Sequence, residues 1–506
     1  MEHVNVADLF FACADKHHLR PAIIDRDGRT ITFGELAEEV KETANWYRAK
    51  GITRGDRVLV FVPMSVELYR CVLALFHIGA TAVFLDEWVS KERLELCCRI
   101  AECKAFIGIF KARVLALFSK ELRRIPIKLG CGYKTLVARY NIERGPASDT
   151  ALVTFTTGST GTPKAAKRTH GFLKAQFDAL VDKIDPQEDD VDMPILPIVL
   201  LLNLGTAVPS VIADFKASKP DSLRPGKIIA QIKAHNVNRI TASPFLIKRL
   251  SEYALKEKIR LPQLRRLFTG GAPVFPDEAA LYRQAFPGCS ATIVYGSTEA
   301  EPISSITAQE LANQQLDLHS GLDVGEPYRL TRVKIIPISE APLQFDAEAA
   351  LDAHALPAGQ AGEIIVSGPH VLREYFNNEE ALKRNKIFIG ENVWHRTGDA
   401  GFLDAGGHLR LCGRCSTMIG RKNGSYISPF LFENYFQQLG MPGTVLRIKE
   451  KVVAILESDD ETRQSDVRRR LEKEAHGFDE IRFVRRVPRD PRHNSKIDYE
   501  KLKELL

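Results

Sequence analysis

Short apolar runs alternate with helix-length segments along the first part of the chain, and this alternation predicts a parallel α/β fold. Arg57-Val-Leu-Val-Phe-Val62 is an apolar run of strand length. The segment from Ser65 to Gly79 has helix length, with a serine to cap its start and a glycine to stop it. Ala80-Thr-Ala-Val-Phe-Leu85 reads as the next strand. Strand, helix and strand in this order imply parallel sheet architecture. Similar units recur around Asn236–Ala242 and Leu264–Thr269. Thr331–Ile336 and Gly362–Ser367 are shorter alternating strands and predict a small β-subdomain. Toward the C-terminus, Thr444–Lys449 and Lys451–Leu456 predict a hairpin, and Gln464–His476 a charged helix. The run Arg468-Arg-Arg470 on that helix reads as a solvated face. Pro342–Ala361, rich in alanine and glutamine, reads as a surface excursion. No internal repeat or long low-complexity tract is visible.

One segment imitates a membrane span. Met193–Ala213 carries no charge and is about long enough to cross a bilayer. Pro194, Pro197, Gly205 and Pro209 interrupt it, however, and Asn203 is polar, so a buried loop and helix beside an apolar cavity is the better reading. No transmembrane segment is therefore expected. The N-terminus shows no basic stretch followed by an apolar one, so no secretory signal is read there. Nine cysteines without regular spacing fit a reducing compartment, and a cytoplasmic location is expected. Cys412-Gly-Arg-Cys415 is formally C-x-x-C, but no second pair matches it, and Cys97, Cys98 and Cys103 read as packing residues. With 506 residues, two or more domains are expected. A net charge of +6 is small at this length, which makes no case for nucleic acid as a partner while leaving anionic ligands welcome.

The most informative stretch is Thr156-Thr-Gly-Ser-Thr-Gly-Thr-Pro-Lys164, which follows the apolar strand-like run Ala151–Phe155. Its glycines, five hydroxyl residues and closing lysine can turn backbone N–H groups and hydroxyls toward phosphate oxygens. It is no Walker A loop, because Pro163 precedes the lysine and Ala165 follows it. On composition alone, a flexible Ser/Thr/Gly linker reads equally well.

The stretch resembles the phosphate-loop signature of the adenylate-forming superfamily, which includes acyl-CoA synthetases, firefly luciferase and peptide-synthetase adenylation domains. Further resemblances follow in the family's order. They are Gly270-Gly-Ala-Pro273, Tyr295-Gly-Ser-Thr-Glu299, Trp394-His-Arg-Thr-Gly-Asp399, Cys412-Gly-Arg414 and Asn494-Ser-Lys-Ile497, with Thr32-Phe-Gly-Glu-Leu36 and Gly55-Asp-Arg-Val58 upstream. Each motif alone is weak; six in order are specific. The resemblance implies an α/β architecture. A large N-terminal domain, 1–412, would combine parallel-type sheets, helices and a small β-subdomain, and a small mobile α+β domain, 413–506, would carry the catalytic lysine.

It also implies roles. Thr156, Thr157, Gly158, Ser159, Thr160, Gly161 and Lys164 would hold the ATP phosphates. Gly270, Gly271, Ala272, Pro273, Tyr295, Gly296 and Ser297 would hold adenine. Thr298 would reach the α-phosphate, Glu299 would ligate Mg²⁺, Asp399 would accept the ribose hydroxyls, Arg414 would reach the ribose from the hinge, and Lys496 would stabilise the reacting charge. Ile198, Leu200, Leu202, Asn203 and Gly205 would line the acyl pocket. A carboxylate cannot expel oxide, and attack on the α-phosphate of ATP replaces that leaving group with AMP.

The expected activity is thus activation of a carboxylic acid, with a medium or long alkyl chain, to acyl-AMP with release of pyrophosphate and then transfer to CoA. The chain departs from the family pattern where Ser416 takes the hinge position that is usually Asp or Lys, and where the loop Arg421-Lys-Asn-Gly424 is one residue longer than usual. Both departures put thioester formation in doubt. Leu202-Asn-Leu-Gly205, Trp394-His-Arg396, the serine pivot and Arg492-His-Asn-Ser-Lys-Ile497 resemble the β-lactone synthetases of bacterial olefin biosynthesis, in which the substrate's own hydroxyl displaces AMP. A third reading is an adenylate-binding regulator that has lost its chemistry; Thr298, Glu299 and Lys496 argue against it.

Overall fold

The computed structural model describes residues 3–85, 91–136, 140–156, 163–215, 222–315, 317–421, 425–474, 476–489 and 497–505. Two large sheets organise the first two thirds of the chain. In the first, six strands run in the order Lys164–Thr169, Thr150–Thr156, Thr81–Phe84, Arg57–Phe61, Ala105–Gly108 and Ile127–Leu129. The last five are parallel, and Lys164–Thr169 returns antiparallel along one edge. In the second sheet, of nine strands, Arg239–Ala242, Arg266–Gly270 and Ser290–Ser297 are consecutive parallel neighbours. The parallel α/β reading is therefore correct.

Local signals explain how the elements start. Ser65 caps the helix Val66–His77 by accepting the Leu68 amide at 3.4 Å. Thr32-Phe-Gly-Glu35 forms a capping box: the Thr32 hydroxyl accepts the Glu35 amide at 3.2 Å, and the Glu35 carboxylate accepts the Thr32 amide at 2.8 Å. Gly55, at φ +81°, enters a turn that Asp56 closes by accepting the Thr53 amide at 2.7 Å. The helix Val66–His77 is buried along its whole length, which fits its nearly continuous apolar sequence. It shares one apolar core with Val58, Val60 and Ala82 of the first sheet and Ala22 and Ile23 of the second.

A third, antiparallel sheet contains Arg332–Ile336, Gly362–Ser367, Asn392–Leu403 and Leu409–Arg414. A second large core joins it to the nine-stranded sheet. The excursion expected at Pro342–Ala361 folds as the helix Glu348–His354 and buries Leu351 beside Trp394, so part of it belongs to the core. Downstream, Gly443–Ile448 and Lys451–Glu457 form the expected hairpin, Glu480–Val484 adds a parallel third strand, and the helix Glu461–Lys473 packs with them in a separate core. The arginine run on this helix is exposed, as expected, and two of its side chains also bond locally. Arg468 donates to the Ile481 carbonyl at 3.0 Å, and Arg470 pairs with Glu474 at 2.9 Å.

Met193–Ala213 resolves into the strand Asp192–Pro194, the eight-residue helix Pro197–Leu204 and the short strand Ser210–Val211. Among the described residues, no helix is long and apolar enough to cross a membrane.

Candidate active site

The described residues of the motifs at Gly270, Tyr295, Trp394 and Cys412 gather where the sheets approach one another, at the C-terminal ends of the nine-stranded sheet's parallel strands. Such edges leave backbone groups and loops free to meet a ligand. Gly270 ends one strand, directly opposite Val294 of the next. A Cβ at Gly270 would lie 2.5 Å from the Val294 carbonyl oxygen, so only glycine fits without moving a strand. Gly271 turns the chain at φ +80° and presents Ala272 and Pro273 exposed beside the strand end. Ser290–Ser297 delivers Tyr295, Gly296 and Ser297 to the same edge, and Thr298 and Glu299 form the turn into Ala300–Thr307.

Tyr295 joins this edge to the third sheet. Its hydroxyl donates to Asp399 Oδ2 at 2.8 Å. Asp399 lies opposite Arg414 in register, and the Arg414 guanidinium contacts Asp399 Oδ1 at 3.1 Å. The Thr397 hydroxyl accepts the Asp399 amide at 3.0 Å and donates to the Ile364 carbonyl at 2.8 Å, across the register shift of this strand near Gly398. Burial, and then the neighbouring Asp399 carboxylate, push the Tyr295 phenol well above its ordinary range, so it remains a donor. A carboxylate oxygen can accept more than one hydrogen bond, so both oxygens of Asp399 can still take hydroxyl donors from a ligand.

A cationic group lies behind this edge. Lys164 faces Thr156 where the antiparallel strand pair closes. Its ammonium donates to Asn385 Oδ1 at 3.0 Å and stands 5.9 Å from the centre of the Tyr375 ring. The next residue, Lys386, is only 3% exposed; its ammonium lies 5.6 Å from the same ring and donates to the Leu372 carbonyl. Tyr375 in turn donates to Glu299 Oε1 at 3.2 Å. Burial lowers the Lys164 ammonium, and Glu299 opposes that shift. Burial pulls Lys386 down to about 7, again against Glu299. Buried Arg168 donates to the Thr298 carbonyl at 3.3 Å and is also lowered by burial, with Glu301 and Glu299 opposing. Three basic side chains thus surround the Thr298–Glu299 turn, an arrangement suited to a polyanion.

Glu299 is the residue that could hold a metal. Its carboxylate is a hard oxygen donor, and Mg²⁺ beside a nucleotide commonly takes one or two carboxylates with phosphate oxygens and waters completing the shell. Among the described residues, no group of three His, Cys, Asp or Glu side chains converges as a self-sufficient metal cage. A lone carboxylate beside a phosphate site therefore fits Mg²⁺ brought in with the nucleotide.

Nothing local in the sequence marks Tyr375, Asn385, Lys386 or Arg168. Isolated lysines and tyrosines carry no local signature, and these meet Glu299 and Lys164 only through strand pairing. Thr157, Gly158, Ser159, Thr160, Gly161 and Lys496 lie outside the described residues, as does most of the Arg421–Gly424 loop. Cys412 and Cys415 are free thiols, and burial pushes Cys412 up to about 12.

Three of the five residues expected to line the acyl pocket, Leu200, Leu202 and Asn203, are buried. Leu200 packs into the first core, and Leu202 packs against Leu180, Ile184 and Phe268. Asn203 is fully buried in a polar network: its amide donates to Asp192 Oδ2 at 2.8 Å and Ser210 Oγ at 3.0 Å, and Arg239 bonds its carbonyl oxygen. Arg239 also pairs with Asp190 at 2.9 Å and Asp192 at 3.1 Å. A charge buried this deeply needs all these partners, so Asn203 is committed to the fold rather than to a pocket wall. A Cβ at Gly205 would lie 2.6 Å from the Phe177 ring, so the close approach there is to the protein's own helix His170–Ile184. Ile198, half-buried at the start of the helix Pro197–Leu204, is the one residue of the five that leaves an apolar side chain partly open.

Comparison with known proteins agrees with this geometry. Residues 10–376 match the model of the AMP-binding enzyme family. The chain is 29% identical to an olefin beta-lactone synthetase of Stenotrophomonas maltophilia, with 94% of this chain and 90% of that protein covered. It is 30% identical to another of Xanthomonas campestris pv. campestris, with the same coverage. A putative acyl-CoA ligase of Bacillus subtilis is 25% identical, with 91% of this chain and 92% of that protein covered. Among solved structures, the O-succinylbenzoate coenzyme A synthetase of Bacillus subtilis in complex with ATP and magnesium ion superposes with a TM-score of 0.80 at 21% identity, covering 100% of both chains. The strand-end glycines, the Tyr295–Asp399–Arg414 chain and the cations around Glu299 thus belong to a member of the AMP-binding enzyme family, an AMP-forming ligase that activates a carboxylic acid.

Proposed function

We propose that the protein activates a β-hydroxy carboxylic acid bearing a medium or long alkyl chain, and that the acid's own hydroxyl then closes a β-lactone. The observation that carries this reading is the pair of relatives named olefin beta-lactone synthetase, 29% and 30% identical over 94% of the chain, against 25% for the acyl-CoA ligase relative. Ser416 at the hinge and the longer loop before Gly424 support it. The acyl-CoA ligase relative keeps CoA as the alternative acceptor.

In the first step a carboxylate oxygen bonds to the α-phosphorus and the bond to the β-phosphate bridging oxygen breaks, releasing pyrophosphate. Lys164 and the hydroxyl-rich loop from Thr156 would hold the leaving phosphates, Thr298 would hydrogen-bond the α-phosphate, and Lys496 would stabilise the charge shared by carboxylate and phosphate. Tyr295 would lie against adenine while Asp399 and Arg414 position the ribose. Mg²⁺ bound by Glu299 would neutralise phosphate charge. In the second step the β-hydroxyl oxygen bonds to the carbonyl carbon, its proton passes to water, and AMP leaves. The small domain from 413 onward would bring Lys496 to the site for the first step.

The test is incubation with ATP, Mg²⁺ and a series of β-hydroxy acids and plain fatty acids, each with and without CoA. The expected products are AMP, pyrophosphate and a neutral lactone from β-hydroxy acids alone, unchanged by CoA. A CoA-dependent thioester from plain fatty acids would overturn the ring-closure reading while leaving adenylation intact. ADP and phosphate would overturn both.

A further inference from the structure

The helix Phe110–Phe118 is packed inside out. Its two buried residues are the small Ala112 and Ala116, while Phe110 is 76% exposed, Leu117 63% and Phe118 69%, and Val114 and Leu115 are partly exposed. A helix on a globular surface normally buries its large apolar side chains and exposes its polar ones. Of the large apolar residues exposed among the described residues, this one element and Ile109 before it hold six of fourteen. A contiguous apolar surface of this kind marks an interaction site.

Charge selects the partner. Residues 109–130 contain six basic residues, Lys111, Arg113, Lys120, Arg123, Arg124 and Lys128, against the single acid Glu121. Glu121 is already paired with Arg124 at 3.0 Å and Arg99 at 3.6 Å. Lys111, Arg113, Lys120 and Arg123 stand exposed around the apolar face. A second copy docking through the same face would bring these cations against their own counterparts, which is unfavourable in a self-complementary interface. An anionic lipid surface instead accepts both parts: the phenyl and leucyl groups enter the acyl–headgroup boundary and the cations meet the headgroups. With no helix able to span a bilayer among the described residues, attachment here is peripheral.

We propose that the Phe110–Phe118 face docks the protein reversibly on anionic lipid bilayers, with Phe110, Leu117 and Phe118 inserted and Lys111, Arg113, Lys120 and Arg123 on the headgroups. Neither the identity of the acid nor the second reaction step enters this inference.

The test is vesicle flotation of the full chain with phosphatidylcholine alone and with about a third phosphatidylglycerol, at about 0.1 M and about 0.5 M salt. The full chain should float with the anionic vesicles, bind neutral ones about tenfold more weakly or less, and be released by salt. Leu117→Ser with Phe118→Ser should lower the anionic partition coefficient about tenfold or more, and Lys111→Glu with Arg113→Glu should do the same. These residues are exposed, so thermal unfolding and the adenylation rate with a short soluble acid should stay unchanged. No flotation with anionic vesicles, flotation unaffected by both variants, or an oligomer in solution that the serine variant dissolves would each overturn the proposal.

Discussion

Replacing Lys386 by methionine should change stability in a way that depends on pH. Lys386 is 3% exposed, and burial pulls its ammonium from the ordinary 10.5 down to about 7. Glu299 opposes this, while Lys164 and Arg373 add to it. Between about pH 7 and about pH 10.5 the unfolded chain therefore holds a proton that the folded chain has lost. Through this group, wild-type stability rises with pH across that window. Below it the folded protein carries the full cost of the buried charge, at about 1.4 kcal/mol for each pH unit of the window. Methionine removes that cost but leaves the Leu372 carbonyl without its donor, a loss of about 1–3 kcal/mol. The variant should thus be more stable than wild type by about 2–4 kcal/mol near neutral pH. The advantage should shrink steadily and reverse by about pH 10, where the carbonyl loss alone remains. Urea denaturation of both proteins at intervals of about one pH unit measures the difference directly. A difference that stays flat from about pH 6 to about pH 10 would refute the buried-ammonium reasoning.

Tyr295→Phe removes the donor to Asp399 and should weaken AMP binding by about fivefold to tenfold in calorimetry, with the fold intact; unchanged affinity would detach this pair from the nucleotide site. Gly270→Ala places a methyl 2.5 Å from the Val294 carbonyl and should lower stability by about 1–3 kcal/mol together with nucleotide affinity, read by thermal shift with and without ATP. Lys496→Ala should slow acyl-adenylate formation about 10²-fold, trapped with hydroxylamine, while ATP affinity changes little; equal loss of both would remove Lys496 from the charge-stabilising role. Asn203→Leu breaks the contacts to Asp192, Ser210 and Arg239 and should cost about 3 kcal/mol or more in urea denaturation; a shift in acid chain-length preference at unchanged stability would return Asn203 to the substrate pocket.

The parallel sheets, the capped helices and the order of the nucleotide motifs were legible in the sequence because each depends on near neighbours. Ser65, read as a cap, meets the Leu68 amide three residues on. Gly270 and Gly271, and the turn at Thr298–Glu299, occur as fixed residue types at fixed spacing because a nucleotide needs backbone access and charge at set positions. What each side chain meets across the fold was not legible. Asn203 read as part of an apolar wall, because its partner Arg239 lies 36 residues away and reaches it only through the pairing of Asp192–Pro194 with Arg239–Ala242. Lys386 carries no local signature, and strand pairing buries it beside Tyr375 and, through Tyr375, Glu299. The helix Phe110–Phe118 has an apolar sequence that suits a core, yet only its alanines are fully buried, in one cluster with Leu59, Phe106 and Val153. Local chemistry is set by residues adjacent in the chain; burial and charge environment are set by which distant strands and helices close over them, and that is decided only in three dimensions.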